Sequence, residues 1–151
     1  MADKRRPLRL NDLDDAIAEI TRLRNSGYTP CGNWNLSQTC DHLSGTMRIG
    51  LDGDEPRLPW IQRKVFGMVF RYLIWRHTMP IGAPTIPRIT PEEMNQDNDE
   101  SIDRCLATLA EARDFPGPLA PYPLMDGMTL PMWKKLMTIH AQHHLRFLQP
   151  N

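Results

Sequence analysis

The stretch TLPMWKKLMTIHAQHHLRFL, Thr129–Leu148, decides the fold class. At roughly 100° per residue, Trp133, Leu136, Met137, His140, His144, Phe147 and, at the edge, Leu148 lie within about 60° of one direction. Lys134, Lys135, Thr138, Gln142, Arg146 and Gln149 fall on the opposite face. Thr129 is placed to cap such a helix, and Pro131 is tolerated in its first turn because the first helical N–H groups have no partner anyway. The reading is an amphipathic helix, and the same 3.6-residue period dominates the rest of the chain. No run alternates polar and apolar residues as a half-buried strand would, so the sequence predicts an all-α protein.

Working outward, a first helix is expected from Asn11, with Asp14 in the first turn and Leu13, Ala16, Ile17, Ile20 and Leu23 on one face, stopped by Gly27. A second begins near Asn35, with Gln38 three residues on as in a capping box. Its stripe is Leu36, Cys40, Leu43, Met47 and Leu51, and it ends near Gly53. Residues 60–78 read as a third helix whose apolar residues surround the axis, Val65, Phe66, Val69, Phe70, Tyr72, Leu73, Ile74 and Trp75 among them. A helix apolar all round must be covered on more than one side, which fits a homodimer packed partly through this segment, with a hydrophobic substrate wall or plain monomer core as the other readings. The run MPIGAPTIPRITP, with Pro80, Pro84, Pro87 and Pro91, is an extended connection. A fourth helix is expected from about Asp99 to Arg113 on Ile102, Leu106 and Leu109, before a second proline-rich loop, FPGPLAPYPLMDG. Neither loop is long enough to separate two cores and no repeat is present, so residues 1–151 read as a single domain.

The 151 residues carry 18 basic and 18 acidic side chains, so no general field would draw the chain to nucleic acid or to an anionic membrane. Cys31, Cys40 and Cys105 are odd in number and form no CxxC pair, which fits a reducing compartment. MADKRRPLRL is charged like a signal peptide but leads into no continuous apolar region, so the expected location is the cytoplasm. The most apolar segment, Val65–Trp75, contains Arg71 and falls well short of the about 20 residues that cross a membrane.

Three of the five histidines, His140, His143 and His144, lie in the last helix. His140 and His144 are about 40° apart in projection and one turn apart along the axis, on the apolar face. Two imidazoles aimed into a bundle must find partners there. A divalent metal is one, since His at i and i+4 can point at one cation; neighbouring polar groups or water are the other. His143, on the flank, could replace His144 through an i, i+3 pair, or serve a supporting hydrogen bond. His77 precedes a proline loop, as a solvated helix end would. A third ligand must come from another helix, and His42 is the only histidine of the second one. The helical wheel puts it about 100° from the centre of that helix's stripe, a flank that periodicity alone does not assign.

The segments GNWNLSQTCDHLSGTMRIGLDG and YPLMDGMTLPMWKKLMTIHAQHHLRFL resemble the DinB/YfiT-like superfamily, in particular its uncharacterised branch with a tryptophan and an HL in the second helix and an HxxHHLRQFG-like ending. Trp34, Gln38, His42 and Leu43 match the first motif; Thr129, Trp133, His140, His143, His144, Leu145, Arg146 and Phe147 match the second. The resemblance implies an up-down-down-up four-helix bundle with an additional helix, and a divalent metal, Zn, Ni, Fe or Mn, held by His42, His140 and His144. It also implies a homodimer. Three protein ligands with open positions suit a metal-dependent thiol transferase or hydrolase, with a small thiol or an electrophile as partner. The chain departs from the branch at Tyr122, where a histidine is common, and in its ending LRFLQPN. No general base stands out: Asp41 points about 100° from His42, and Cys40 sits on the apolar stripe as a small packed hydrophobe. Two other readings remain open, a dimeric binding or assembly module with a structural metal, and a metal-free bundle with satisfied core histidines.

Overall fold

The computed structural model describes residues 4–82, 89–93 and 95–151. Among the described residues, five helices and one short antiparallel strand pair make up the regular structure: α1 (Leu13–Ser26), β1 (Tyr28–Pro30), α2 (Leu36–Asp52), α3 (Trp60–Arg76), α4 (Asp99–Asp114), α5 (Leu130–Leu145) and β2 (Leu148–Pro150). The chain is mostly helical, as its periodicity predicts. Pro84 and Pro87 of the first proline-rich connection lie outside the described residues.

The helix starts follow from their caps. Asn35 accepts the Gln38 N–H while Gln38 reaches back to the Asn35 N–H, a complete capping box. Thr129 accepts the Met132 N–H at the head of α5, and Asn98 accepts from Glu100 at the head of α4. The first helix begins one residue later than expected, because Asp12 rather than Asn11 accepts the Asp15 N–H and becomes the cap.

Helices α1, α2, α4 and α5 pack on one another around a common core. Leu23, Leu36, Cys40, Ile102, Leu109, Trp133 and Leu145 belong to that core, each inaccessible or nearly so. Trp133 reaches from α5 to α2, where a Cβ on Gly50 would stand only 2.3 Å from its Nε1. α5 therefore lies against α2 more closely than any other residue at position 50 would allow.

Three expectations need correction. The last helix stops at Leu145, so Phe147 and Leu148 are not on its face; the chain turns out into β2, which pairs antiparallel with β1 in the register Tyr28↔Pro150, Thr29↔Gln149 and Pro30↔Leu148. A three-residue strand has too few side chains to show a period, and its pairing partner is more than a hundred residues away. Thr138 and Gln142, assigned to the polar face of α5, are buried. The Gln142 amide donates to the His77 carbonyl and accepts from the Leu10 N–H, and so docks the N-terminal segment. His77 is buried as well: it ends α3 in the left-handed conformation, and its Nε2 donates to the Leu10 carbonyl at 2.7 Å.

The third helix is covered on one side only. Gly67 and Leu73 are its buried residues, it rests on α5, and most of its large apolar side chains face outward. No helix among the described residues is long and apolar enough to cross a membrane.

Candidate metal centre

His140 and His144 project from successive turns of α5, and His42 projects from α2 toward them. The α2 stripe residue Cys40 faces Cys105 of α4, so the flank of α2 that carries His42 is turned toward α5. The ring Nε2 atoms of His42 and His140 are 3.0 Å apart, and those of His140 and His144 are 3.1 Å apart. The ligand atoms of all three lie within 4.8 Å of one another, so this cluster could hold a metal ion.

The orientation of His42 is fixed from behind. Its Nδ1 lies 2.9 Å from the Ile89 carbonyl oxygen, which can only accept; the ring donates there, and Nε2 carries its lone pair toward His140. Ile89 comes this close because position 45, on α2, is glycine: a Cβ there would stand 2.8 Å from the Ile89 Cγ2.

With the His42 proton committed to Ile89, the two ring contacts cannot both be ordinary N–H···N bonds. If His140 Nε2 carries a proton, one proton is shared between two acceptors. If it does not, two lone pairs face each other across 3.0 Å. A cation resolves this arrangement. Two nitrogens each about 2.0–2.1 Å from one ion, at about 90–110° to each other, stand about 2.8–3.4 Å apart, and the observed spacings of 3.0 and 3.1 Å fall in that range.

A proton is a poor cation here. Burial pushes the His42 imidazole down, against the opposing hydrogen bond to Ile89. Burial first, and then the charge of the neighbouring histidines, holds His140 and His144 well below the ordinary imidazole range. All three rings are thus neutral near pH 7, the form that ligates.

Trp34 stands over the cluster, stacked on His144 with centroids 5.2 Å apart and tilted against His42 at 5.0 Å. Its loop is held by the β1–β2 pairing and by the Cys31 N–H, which donates to the Phe147 carbonyl at 2.8 Å. Beside it opens a cavity of about 330 Å³ whose walls include Asn33, Trp34, Thr39, His143, His144 and Phe147 and, among the described residues, no carboxylate.

The remaining candidates fall elsewhere. His143 packs edge-on to His144 at 4.8 Å and lines the cavity wall; it is not part of the three-nitrogen cluster. Burial and the adjacent Arg5 guanidinium push its imidazole down to about 4. Tyr122 is buried in the core, where burial raises its phenol, and it does not line the cavity. Asp41 faces away to pair with Arg104 at 3.2 Å, and Cys40 is a buried core thiol raised by its contact with Cys105 and by burial. Sequence reading had no access to Ile89, since a backbone carbonyl leaves no mark in residue type. The glycine at 45 was the one trace of that close approach.

The chain matches, over residues 2–151, the family described as Protein of unknown function (DUF1569), and it belongs to that family. Comparison with curated proteins and with solved structures gives no significant match.

Proposed function

We propose that this DUF1569 chain is a divalent-metal enzyme of the DinB/YfiT-like type, a thiol transferase or hydrolase whose centre is His42, His140 and His144. The observation that carries the reading is the convergence of three ring nitrogens from two helices at 3.0 and 3.1 Å, with the His42 tautomer set by Ile89. The packing of α1, α2, α4 and α5, with α3 outside them, supports the up-down-down-up bundle that the resemblance implies.

A neutral, all-nitrogen ligand set suits Zn, Ni or Fe and admits Mn. When bound, such an ion supplies Lewis acidity that lowers the pKa of a water or a thiol into the neutral range. The protein side chains do the rest. No carboxylate among the described residues joins the cluster, so nothing anionic offsets the ion's charge, and an anionic nucleophile is favoured beside it. Trp34 shields His144 and His42 from bulk water, and the cavity leaves one side open to a small substrate. Three free cysteines suit a reducing compartment, consistent with the cytoplasm.

Metal analysis of protein purified without a histidine tag is the test. About one ion per chain is expected, with affinity falling by more than about 100-fold in His42→Ala, His140→Ala or His144→Ala, beyond the loss seen for supporting residues. Native protein that retains no ion, even after titration with Zn, Ni, Fe and Mn, would sink the proposal. The outward apolar face of α3 favours a second reading, an assembly module with a structural metal. Turnover of small thiols with electrophiles, abolished by His140→Ala, separates the two.

A further inference from the structure

We propose that the outward face of α3 is a docking surface for an anionic lipid bilayer, on which the chain lies with this helix in the plane of the interface. The proposal is independent of the metal centre. Ile61, Val65, Met68, Val69, Tyr72 and Trp75 are all exposed, Met68 to 67% and Trp75 to 74%. At roughly 100° per residue they fall within about 60° of one direction, turned away from Gly67 and Leu73, the buried residues of the helix.

With Trp60 and Phe66 these side chains present roughly 900 Å², at about 150–250 Å² for a full side chain. The largest patch on an ordinary monomer is about 300–600 Å². The helix has 17 residues and is not apolar enough to cross a membrane, so it can lie on a bilayer but not span one.

Charge chooses the occupant. Arg63, Lys64, Arg71 and Arg76 are the charged residues of α3, which has no carboxylate. These four of the 18 basic residues leave 14 against 18 acidic ones in the rest of the chain, so a molecule with no net charge is positive along this helix and net negative over the remainder. An anionic surface attracts the first and repels the second, which orients the chain. Arg63 is held by Asp126 at 2.9 Å, whereas Lys64, Arg71 and Arg76 are exposed. Lys64 and Arg71, seven residues apart, line one flank of the apolar face, and Arg76 ends the helix. Lys64 stands over the Trp60 ring at 5.3 Å and Arg76 over the Trp75 ring at 5.9 Å. Each end of α3 thus pairs an indole with a cation, the arrangement that suits an interface: the ring sits at headgroup depth and the cation reaches a lipid phosphate. A second copy of α3 would match the apolar surface but not the charge, since it brings four more cations and no carboxylate.

The full chain is expected to sediment with phosphatidylcholine vesicles that contain phosphatidylserine, and much less with vesicles of phosphatidylcholine alone. Binding should weaken as salt rises from about 0.1 M to about 1 M and the screening length falls from about 10 Å to about 3 Å. Lys64→Gln and Arg76→Gln should each weaken it about 5-fold, and Met68→Glu, which sets a carboxylate in the middle of the face, at least about 10-fold. Met68 is exposed, so helix content and melting should hold in that variant. Brominated phosphatidylcholine in the same vesicles should quench tryptophan emission, and the quenching should be lost when Trp60→Phe and Trp75→Phe are combined. No binding at about 1 mM lipid, binding that does not depend on phosphatidylserine, or binding indifferent to Met68→Glu would each overturn the proposal. So would a chain that ignores vesicles and forms a dimer that Met68→Glu dissociates, which would give the face to a second copy.

Discussion

A methyl group on Gly45 would meet the Ile89 Cγ2 at 2.8 Å and drive the Ile89 carbonyl away from His42 Nδ1. Gly45→Ala should therefore lower metal affinity by about 10–100-fold, the usual effect of losing the hydrogen bond behind a histidine ligand. Competition against a chelator measures this, and helix propensity alone would act the other way, since alanine favours a helix by about 1 kcal/mol over glycine. His143 offers a second test at this scale. Its imidazole is lowered to about 4 by burial and by Arg5, against about 6.5 when unfolded. Between those values the unfolded chain binds the extra proton and the folded chain does not, so stability falls as pH drops through that window. Denaturation of metal-free protein across about pH 7 to pH 4 should show the loss, and His143→Gln should make the profile shallower by part of one proton. An unchanged slope would mean that His143 takes up its proton in the folded state.

At the scale of elements, the head of α2 concentrates the contacts that hold the site. The Leu36 N–H donates to Tyr28 Oη at 2.7 Å, that hydroxyl donates to Asp97, and the Ser37 N–H donates to Asp97 Oδ1 at 3.1 Å. The residue before the cap is Trp34, which covers His144. Asn35→Ala should cost about 0.5–2 kcal/mol in urea unfolding; it should also loosen Trp34, read as a shifted tryptophan emission on metal addition. The start of α2 was legible in the sequence because a capping box is a local signal, complete within four residues. The end of α5 was not. Phe147 and Leu148 continue the helical spacing, but the chain leaves the helix to pair with Tyr28–Pro30, and a strand partner so distant gives no local sign. Gln142 and His77 were misplaced for a related reason: a polar type predicts exposure, whereas here three hydrogen bonds among positions 10, 77 and 142 satisfy both side chains in the interior.

Across the whole molecule, the contact that seats Trp133 against Gly50 joins the same two helices that carry the histidines. Gly50→Ala would overpack a fully buried indole and should destabilise the protein by about 1–3 kcal/mol, seen as a lower melting temperature. Added metal should recover part of that loss, because a ligand that binds only the folded state stabilises it. If metal leaves the melting of this variant and of the wild type unchanged, the histidine cluster is not a metal site. The sequence by itself determined the helices, through apolar period and caps, and the placement of His140 and His144 on one face, because residues four apart on a helix share a side whatever surrounds them. It left His42 on a flank, gave no notice of the Ile89 carbonyl, and marked α3 as needing cover without saying where. Tertiary structure decided those points, since each depends on how one helix is rotated against another. That rotation is set by contacts such as Cys40 with Cys105 and Gly50 with Trp133, which join residues far apart in the chain and leave no period along it.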